Sequence, residues 1–343
     1  MTVEDMQTQL LAIIIVAWNT RDLLHDCLNA VTASLAHGAI SARILVVDNA
    51  SADGTPALLR TEFPAVELLE TGQNLGFAAG NNVALRHIGV GTADPATLPP
   101  YILLLNPDTA PLGDAIPRLV AYLEGHPELV AVGPQLRYGD GTLQSSRRRF
   151  PTPLTLFWES TALERLWPTN PWRQRYHCAD QPADQEQPVD WLVGAALLVR
   201  SSAIARAGLL DAAFFMYSEE LEWQWRLQMA DSRLRILVGP QRYAAVHANL
   251  ASRIAYLPTA VIRHYEGKSS EQAITARHLN FQRSKLHLTH RLYGRGLTTL
   301  LRRLLRIGYT WEIAQEQAKL LLRHRPALRM QRISVYRAVL RGL

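Results

Sequence analysis

Short apolar runs alternate with segments of helical periodicity along the N-terminal third of the chain. The apolar runs are short enough for buried strands, and they occupy residues 11–16, 43–47, 66–69 and 101–105. Apolar residues recur at helical spacing in the intervening segments 22–35 and 77–88, and a short helix is expected at 56–60. This order predicts an α/β fold with a doubly wound, mainly parallel sheet, whose ligands bind beyond the carboxyl ends of the strands.

Composition limits the class of protein. A chain of 343 residues with 48% hydrophobic residues can form one large α/β domain or two smaller ones. The two cysteines, Cys27 and Cys178, lie far apart without CxxC spacing, which argues against a disulfide framework or a zinc site. Residues 1–10 lack the apolar core of a signal peptide, and no apolar run approaches the ~18 residues of a membrane span. We therefore expect a reducing, cytoplasmic compartment.

Positive charge is concentrated at the C-terminal end. Residues 277–343 contain 15 Lys and Arg and two acids, a net charge of +13, whereas the remaining residues carry −7. Helically spaced leucines among arginines predict a basic amphipathic helix, and they are Leu297, Leu300, Leu301, Leu304 and Leu305. Such a helix lies on anionic lipid, with the protein peripheral on the inner face of the cytoplasmic membrane, or packs on the rest of the chain or a second subunit. We expect no nucleic-acid partner, because aromatic residues are not interleaved here for base stacking.

The ends of the first two predicted strands present polar groups. The first strand is followed by Trp18-Asn19-Thr20 in place of a GxGxxG turn, so a nicotinamide or flavin dinucleotide site has no support. The second strand ends in Asp48, whose carboxylate can accept hydrogen bonds from a base or a ribose. An Asx turn with a helix cap is the alternative explanation for Asp48.

The next two strand ends also contain candidate ligand groups. Asn74, Gly80 and Asn81 place amides and a small residue near a helix start, where backbone can approach a phosphate or sugar, although a plain loop has the same composition. Asn106-Pro107-Asp108 follows the fourth strand. A carboxylate there can hold Mg²⁺ or Mn²⁺ on the phosphates of a nucleotide, or it can cap a helix.

An acid-rich stretch, residues 214–226, combines an aromatic run with clustered carboxylates. Aromatic side chains can dry a pocket in which Glu219 or Glu220 accepts a proton from an attacking hydroxyl. Glu222 could hold an acceptor or a neighbouring arginine, and Trp223 could form a pocket wall or part of the core.

The ordered series of motifs resembles the family 2 glycosyltransferases, inverting enzymes of the GT-A fold, and especially their rhamnosyltransferase-like branch. The resemblance covers roughly residues 11–270 and lies in segments 16–19, 46–55, 74–82, 104–109, 191–200 and 214–226. It implies a Rossmann-like nucleotide half followed by an acceptor half. It also implies a nucleotide-diphosphate sugar donor, with dTDP-rhamnose the first expectation, a glycan or lipid-linked glycan acceptor, and a divalent cation.

The resemblance assigns roles on the donor side. It implies that Asp48 contacts the nucleotide base and that Asp108 binds the metal, with Asn106 in the position of the first acid of the DXD motif. Trp18, Asn19, Asn74, Gly80 and Asn81 are assigned with them to the donor site. A glutamate pair stands where the family has Glu-Asp, so the resemblance nominates Glu220 as general base, with Glu219 as the alternative.

The resemblance also assigns the acceptor side and the end of the domain. Gly194 and Ala195 match a strand that lines the acceptor entrance, and Glu222 and Trp223 are assigned to the acceptor. Two similar segments end in histidines, and the second, which continues from His264 to Lys268, matches the family better. We therefore expect His264 to bind the metal and Lys268 to reach the diphosphate. Residues 231–253 are an expected insertion in a domain of residues 1–270, followed by a basic helical extension over 271–343.

Residues 144–190 form a less regular stretch. It contains the run Arg147-Arg148-Arg149 and scattered prolines and tryptophans, which is typical of a functional loop or lid. The arginines could meet a phosphate of the acceptor or remain solvated. Two other functions fit the motifs less closely, a sugar nucleotidyltransferase and a non-catalytic, membrane-tethered carbohydrate-binding protein.

Overall fold

The computed structural model describes residues 10–94, 97–161, 163–230, 253–265 and 274–343. The strands are β1 (Leu11–Ala17), β2 (Ala42–Asp48), β3 (Glu67–Glu70), β4 (Tyr101–Leu105), β5 (Thr109–Pro111), β6 (Ala131–Arg137), β7 (Arg147–Arg148), β8 (Gln187–Val189), β9 (Trp191–Leu192), β10 (Ala196–Arg200) and β11 (Ile254–His264). The helices are α1 (Arg21–Gly38), α2 (Thr55–Glu62), α3 (Phe77–His87), α4 (Ala115–Gly125), α5 (Pro153–Glu159), α6 (Leu163–Leu166), α7 (Pro171–Tyr176), α8 (Ser201–Ala207), α9 (Glu219–Met229), α10 (Ile274–Leu321) and α11 (Pro326–Gly342).

One mixed sheet forms the centre of the fold. Its order is β3-β2-β1-β4-β10-β6-β11-β5, with β8 beside β11. The first four strands are parallel, as the sequence predicts. Strand β10 then runs antiparallel to both β4 and β6, and β11 returns parallel to β6. The predicted α/β class is confirmed, and the carboxyl ends of the first four strands lie along one edge.

Strand β1 is apolar along its length because both of its faces are covered. Leu11, Ile13 and Ile15 pack in one buried cluster with residues of α1 and α4. Ala12 and Ile14 point the opposite way, into a second cluster that contains residues of α3 and α9. Burying one Leu or Ile side chain contributes about 2 kcal/mol. A parallel strand between two helical layers therefore requires a continuous apolar run.

The stretch 144–190 contains three short helices, where the sequence suggests a loop. The side chain of Thr152 accepts a hydrogen bond from the Thr155 N–H at the start of α5, and Asn170 caps α7 in the same way. Each cap precedes a proline in the first helical turn, which is a standard helix start. Three tryptophans lie in mutual ring contact between these helices, namely Trp158, Trp167 and Trp172.

The C-terminal helices fold against one another and against the sheet domain. The predicted amphipathic helix is present as the second part of α10, which breaks at Gly294, where φ is 77°. The chain reverses at Gly294, so that the two parts of α10 lie side by side. The Gln282 side chain, before the break, donates to the Tyr309 hydroxyl, after it, at 3.0 Å. Leu288 and Leu292, from the first part of α10, pack beside α9 in a separate apolar cluster. The division into domains 1–270 and 271–343 stays a prediction.

Two further features concern the cysteines and the helices. Cys27 and Cys178 are both buried and free. Within the described ranges, no helix has both the length and the apolar character that a membrane span requires.

A backbone contact joins the loop after β3 to the acid-rich stretch. The Phe77 N–H donates to the Phe215 carbonyl at 2.8 Å. Gly76 has φ 82° and ψ −179°, a conformation that essentially only glycine adopts. A Cβ at Gly76 would lie 2.2 Å from the Phe215 carbonyl oxygen. The absence of a side chain at Gly76 therefore permits this contact.

We expect Gly76→Ala to lower the free energy of unfolding by about 3 kcal/mol, the sum of backbone strain and overpacking. Gly72→Ala is the matched control, because Gly72 also has positive φ but nothing lies within 4 Å of its Cβ position. We expect the control to lose only about 1 kcal/mol. Denaturant unfolding measures both changes. Equal losses in the two variants would show that the contact with Phe215 contributes nothing.

Candidate functional site

Loops after β1 and β2 are joined beside Asp48. The Asn19 N–H donates to the Ser51 hydroxyl at 2.9 Å, and the Ala52 N–H donates to Asn19 Oδ1 at 2.7 Å. Asp48 is buried, and its Oδ2 accepts the Ser51 N–H at 3.1 Å. Its Oδ1 is also buried and has no hydrogen-bond partner. Asp48 therefore bonds the following loop with one oxygen, as the alternative explanation of a turn requires, and its other oxygen has no hydrogen-bond partner among the described residues.

The remaining predicted donor residues have local contacts. Asn74 Oδ1 accepts the Gly76 N–H at 3.0 Å, and the Asn81 side chain donates to the Phe77 carbonyl at 2.9 Å. A Cβ at Gly80 would lie 2.8 Å from a methyl group of Val16, so its small size serves helix–strand packing. These contacts organise the start of α3. Trp18 is partly buried at the end of β1, and Lys268 lies outside the described residues. Direct contact of these side chains with a donor stays a prediction.

Strand pairing brings His264 to Asp108. In the antiparallel pair of β5 and β11, His264 is opposite Thr109. The Tyr265 N–H donates to the Asp108 carbonyl at 2.9 Å. His264 Nε2 then lies 3.4 Å from Asp108 Oδ1 and 3.5 Å from Asn106 Nδ2. The second histidine segment therefore places His264 beside Asn106 and Asp108, at the end of β4.

Gln144 orients the His264 ring. Its side-chain oxygen lies 2.9 Å from His264 Nδ1. An amide oxygen accepts hydrogen bonds, so the Nδ1 hydrogen points to Gln144 and Nε2 faces Asp108 and Asn106. Such an outer partner commonly fixes the tautomer of a metal-binding histidine. Sequence reasoning did not identify Gln144, because its partner is 120 positions away.

The residues around Asp108 fit a divalent cation. Asp108 Oδ1 is buried without a hydrogen-bond partner, and His264 Nε2 lies 3.4 Å from it. Oxygen and imidazole donors suit Mn²⁺, and Mg²⁺ also prefers oxygen ligands. Among the described residues no three His, Cys, Asp or Glu side chains form a metal-binding group. A cation held by Asp108 and His264 would therefore share its coordination sphere with oxygens of a ligand or water.

Strand β10 connects this centre to the acid-rich stretch. The Asn106 N–H donates to the Ala195 carbonyl at 2.9 Å. A Cβ at the neighbouring Gly194 would lie 3.3 Å from Glu220 Cβ and 3.4 Å from its Cγ. The predicted open approach at Gly194 is thus filled by the Glu220 side chain. The small size of Gly194 places Glu220 next to the strand that touches Asn106.

Glu219 and Glu220 occupy the first turn of α9. Two residues with positive φ precede them, Tyr217 at 73° and Ser218 at 69°, so the helix starts from a strained backbone. Burial raises the pKa of Glu219 well above its ordinary value, and the charge of Glu220 adds a smaller increase. Burial also raises the pKa of Glu220, although backbone hydrogen bonds and the Arg148 charge partly offset the effect. Oε2 of each glutamate is buried without a hydrogen-bond partner.

Glu222 and Trp223 require a correction. Glu222 is fully buried; its two oxygens accept from Arg226 Nε at 2.9 Å each, and Oε1 also accepts from Arg291 at 3.0 Å. Trp223 is fully buried in the core, and its indole N–H donates to the Gly208 carbonyl at 2.9 Å. Neither side chain can contact an acceptor in this arrangement. The alternatives weighed for them, an arginine partner for Glu222 and a core position for Trp223, describe the structure.

Two glutamines fix α9 against the strands, and sequence reasoning missed them. Gln224 accepts from the Leu192 N–H at 2.8 Å and donates to the Leu192 carbonyl at 2.7 Å. Gln228 donates to the Asp190 carbonyl at 2.7 Å. Both follow Glu220 at intervals of four residues and so lie on its side of the helix. This spacing of four residues is visible in the sequence and indicates that both glutamines face the same side as Glu220.

The arginine run is not freely solvated. Arg147 is buried and donates to the Gln181 and Pro182 carbonyls at 3.2 and 2.9 Å. Arg148 donates to the Ser145 hydroxyl at 2.9 Å and lies over the rings of Tyr176 and Trp191. Burial lowers the pKa of Arg148, and nearby groups that include Glu220 oppose the shift. The solvated alternative is therefore wrong, and contact with an acceptor phosphate stays a prediction.

Burial of Glu219 and Glu220 predicts a pH-dependent stability difference. A glutamate in the unfolded chain ionises near pH 4.3. Because the pKa values of Glu219 and Glu220 are raised in the folded chain, the free energy of unfolding decreases as the pH rises above about 4.3. We expect Glu219→Gln and Glu220→Gln to raise the melting temperature at pH 8 by about 2 °C or more. The gain should shrink as the pH falls toward about 4. Calorimetry across this pH range measures it.

Glu222→Gln is the matched control from the same helix turn. It removes the charge that holds Arg226 and Arg291, so we expect a loss of roughly 2–4 kcal/mol at pH 8. Opposite signs for Glu222→Gln and the other two variants are the expected result. A loss in all three variants would contradict the unpartnered state of Glu219 and Glu220.

Sequence comparisons place the chain beside known glycosyltransferases. The family model described as glycosyl transferase family 2 matches residues 12–181. The N-acetylglucosaminyl-diphospho-decaprenol L-rhamnosyltransferases of Mycobacterium tuberculosis strains CDC 1551 / Oshkosh and ATCC 25618 / H37Rv are each 34% identical over 189 residues. The match covers 54% of this chain and 61% of each relative, so the chain spans about three fifths of their length.

Solved structures of low sequence identity resemble the chain as well. A mannosyltransferase from Pyrobaculum calidifontis, solved with GDP-Man and Mn²⁺, is 14% identical, covers 97% of this chain and 85% of its own, and has a TM-score of 0.49. S. aureus TarS 1-349 with UDP-GlcNAc is 13% identical, covers 86% and 70%, and has a TM-score of 0.48.

The sheet order and the family match together confirm the GT-A fold expected from the sequence. Residues 12–181 of this chain match the family model of glycosyl transferase family 2, and the chain is similar to the two mycobacterial rhamnosyltransferases.

Proposed function

We propose that the chain is an inverting glycosyltransferase that moves a sugar from a nucleotide-diphosphate donor to a hydroxyl group of a glycan or lipid-linked glycan. One observation supports this most strongly. Among the described residues, the buried carboxylate oxygens without a hydrogen-bond partner belong to Asp48, Asp108, Glu219 and Glu220. Buried polar groups are normally satisfied, so four exceptions among the predicted site residues indicate ligand-binding positions.

The donor would lie across the ends of β1, β2 and β4. The free oxygen of Asp48 would accept a hydrogen bond from the nucleotide, beside the joined loops that contain Asn19 and Ser51. Asp108 and His264 would hold a divalent cation, with Asn106 next to them. When bound, such a cation neutralises charge on a departing diphosphate. Lys268 would assist from the segment after His264.

Glu220 is the proposed general base. Its side chain is partly exposed and lies against Gly194, one residue from the Ala195 carbonyl that binds Asn106, whereas Glu219 is buried. Glu220 takes the proton of the acceptor hydroxyl, and that oxygen bonds to the anomeric carbon from the side opposite the diphosphate. The bond to the diphosphate breaks with its electron pair, so the configuration inverts. An efficient general base has a pKa near the working pH. The raised pKa of Glu220 is closer to neutral pH than that of an ordinary glutamate.

The acceptor class follows from the relatives. Their name specifies an N-acetylglucosaminyl-diphospho-decaprenol acceptor and rhamnose as the transferred sugar. We propose an acceptor of this type, a sugar joined through diphosphate to a polyprenol, and dTDP-rhamnose as donor. Such a substrate would hold the protein at the inner face of a membrane in cell-envelope polysaccharide synthesis, with residues 277–343 as the contacting region. A homo-oligomer is the alternative use of those helices.

We expect Glu220→Gln to lower the transfer rate by roughly 10²–10⁴-fold, the usual contribution of a general base. Binding of the donor should stay close to that of the unchanged chain. Product formation from dTDP-rhamnose and an N-acetylglucosaminyl-diphospho-polyprenol, with donor affinity from calorimetry, measures both effects.

Glu219→Gln is the matched neighbour for this experiment, and we expect it to keep at least a tenth of the rate, since a group without a proton-transfer role lacks that contribution. If the two effects were reversed, Glu219 would be the base. Near-normal rates in both variants would refute general-base catalysis by this pair.

The cation site predicts a second result. Asp108→Asn and His264→Gln should each weaken binding of dTDP measured with Mn²⁺ by at least about tenfold, because each removes one of two protein ligands. Binding measured in excess chelator should be weak and equal for both variants and the unchanged chain. Asp114→Asn is a control, since this acid lies on the surface and pairs with Arg118. Full transfer activity in excess chelator would contradict the proposed cation.

A further inference from the structure

The second part of α10 has two apolar faces, and one of them has no partner among the described residues. Leu301 and Leu305 lie on the first face and are buried with Leu286, from the part of α10 before Gly294. Residues on the second face recur at alternating intervals of four and three positions, and we call them the apolar stripe: Leu300, Leu304, Ile307, Trp311, Ala314, Ala318 and Leu321.

The apolar stripe is largely open to solvent. The exposed fractions are 52% for Leu300, 67% for Ile307, 59% for Trp311 and 86% for Leu321. Single exposed apolar residues are common on proteins, but a row of apolar residues with four large exposed side chains indicates a contact surface. The row spans the helix from Leu300 to its end at Leu321.

Positive charge borders the stripe. Arg303 and Arg306 are exposed and lie on one flank of it by helical spacing, and Arg302 follows further around the same side. The tail supplies little negative charge for them. Glu312 and Glu316 are the two acids in residues 277–343. Glu316 is buried and already pairs with basic residues, which are Arg329 at 2.8 Å, Lys319 at 3.2 Å and Arg332 at 3.5 Å.

Charge favours a lipid surface over a second copy of the chain. The four–three spacing alone would also suit a two-helix coiled coil. Residues that flank a coiled-coil seam usually pair opposite charges across it, but the flanking positions 301, 303, 308, 310, 315 and 317 contain no acidic residue, so a second copy would offer Arg303 no opposite charge. An anionic bilayer supplies the missing negative charge. Tryptophan is also enriched at the level of lipid headgroups, where Trp311 would lie.

We propose that the apolar stripe and its flanking arginines bind the surface of an anionic lipid bilayer, with the second part of α10 lying in the plane of the membrane. The binding does not depend on the proposed transfer reaction. Its consequence for the site does rest on that function. The first part of α10 contacts the acid-rich stretch, where Ser284 donates to the Met216 carbonyl at 2.7 Å and Arg291 pairs with Glu222 at 3.0 Å. Lipid binding by α10 would therefore hold the site close to a lipid-linked acceptor.

Vesicle flotation with the full chain tests the proposal. The vesicles contain phosphatidylcholine alone, or phosphatidylcholine and phosphatidylglycerol in equal parts, without donor or acceptor. We expect strong binding to the anionic vesicles and weak binding to the neutral ones. Arg303→Gln and Arg306→Gln should each weaken binding to anionic vesicles about fivefold, the factor expected for one arginine near such a surface.

Variants of the apolar stripe distinguish lipid binding by this surface from nonspecific adsorption of the protein. Ile307→Ser with Trp311→Ser should lower binding at least tenfold, since each large side chain loses about 2 kcal/mol of transfer into the interface. Leu166→Ser is the matched control, because Leu166 is 80% exposed but lies in α6. It should bind as the unchanged chain does. Melting temperatures confirm that the variants are folded.

Several outcomes would overturn the proposal. Equal binding to both kinds of vesicle, or no loss in the stripe variants, would exclude this surface as the lipid contact. A dimer in sedimentation without lipid that becomes monomeric on Ile307→Ser with Trp311→Ser would assign the stripe to a second copy. Glu220→Gln should bind vesicles normally, so failure of the proposed reaction and failure of lipid binding are distinguishable.

Discussion

The pairing of β5 with the end of β11 determines where the candidate site can form. Three residues of β11, Ile262 to His264, pair with the segment that follows Asp108. This contact spans a sequence separation of more than 150 residues, as the 158 positions between Asn106 and His264 show. Closing so long a loop costs conformational entropy, and the contact persists because β11 is held along its length by β6 and β8. Pro258 lies where the register with β6 shifts, at a bulge that a proline can occupy.

Helix α9 combines stabilising and destabilising carboxylates within a single turn. Glu222 is buried with two arginine partners and belongs to the packing of the domain. Glu219 and Glu220 are three and two residues earlier, and each keeps a buried oxygen without a partner. The backbone before them is strained at Tyr217 and Ser218. Uncompensated polar groups and strain tend to cluster at functional sites, at a cost to stability that the surrounding structure offsets. Reciprocal hydrogen bonds from Gln224 contribute to that support.

The sequence predicted those parts of the fold that short-range patterns determine. Strands β1, β2 and β4 contain apolar runs because both sides of the parallel sheet are covered there, and the polar residues that end them lie at one edge as the topology requires. Helices α5 and α7 were missed although the Thr152 and Asn170 caps, each before a proline, were visible in the sequence. The partners of Gln144 and Gln224 could not be inferred, because they depend on packing between distant segments.

The burial of Glu222 and Trp223 was not evident for a related reason. A helix with one exposed face shows an apolar stripe, but α9 is enclosed by the sheet, by α8 and by α10, and most of its residues are buried. An enclosed helix loses the amphipathic signal that distinguishes inner from outer positions. Polar residues in α9 are then buried with partners from elsewhere, as Glu222 is with Arg291 of α10.

The same arginine bears on the role of the C-terminal helices. Arg291 neutralises a fully buried carboxylate two residues from the proposed base, and Leu288 and Leu292 complete the apolar cluster around Phe214. Without α10, Glu222 would keep only Arg226, and Phe214 would be uncovered. The start of α10 therefore belongs structurally to the surroundings of the acid-rich stretch, whereas the part after Gly294 presents its own exposed surface. A boundary at Gly294 separates these two roles better than a boundary at residue 271, because the contacts with α9 and the Met216 carbonyl all precede Gly294.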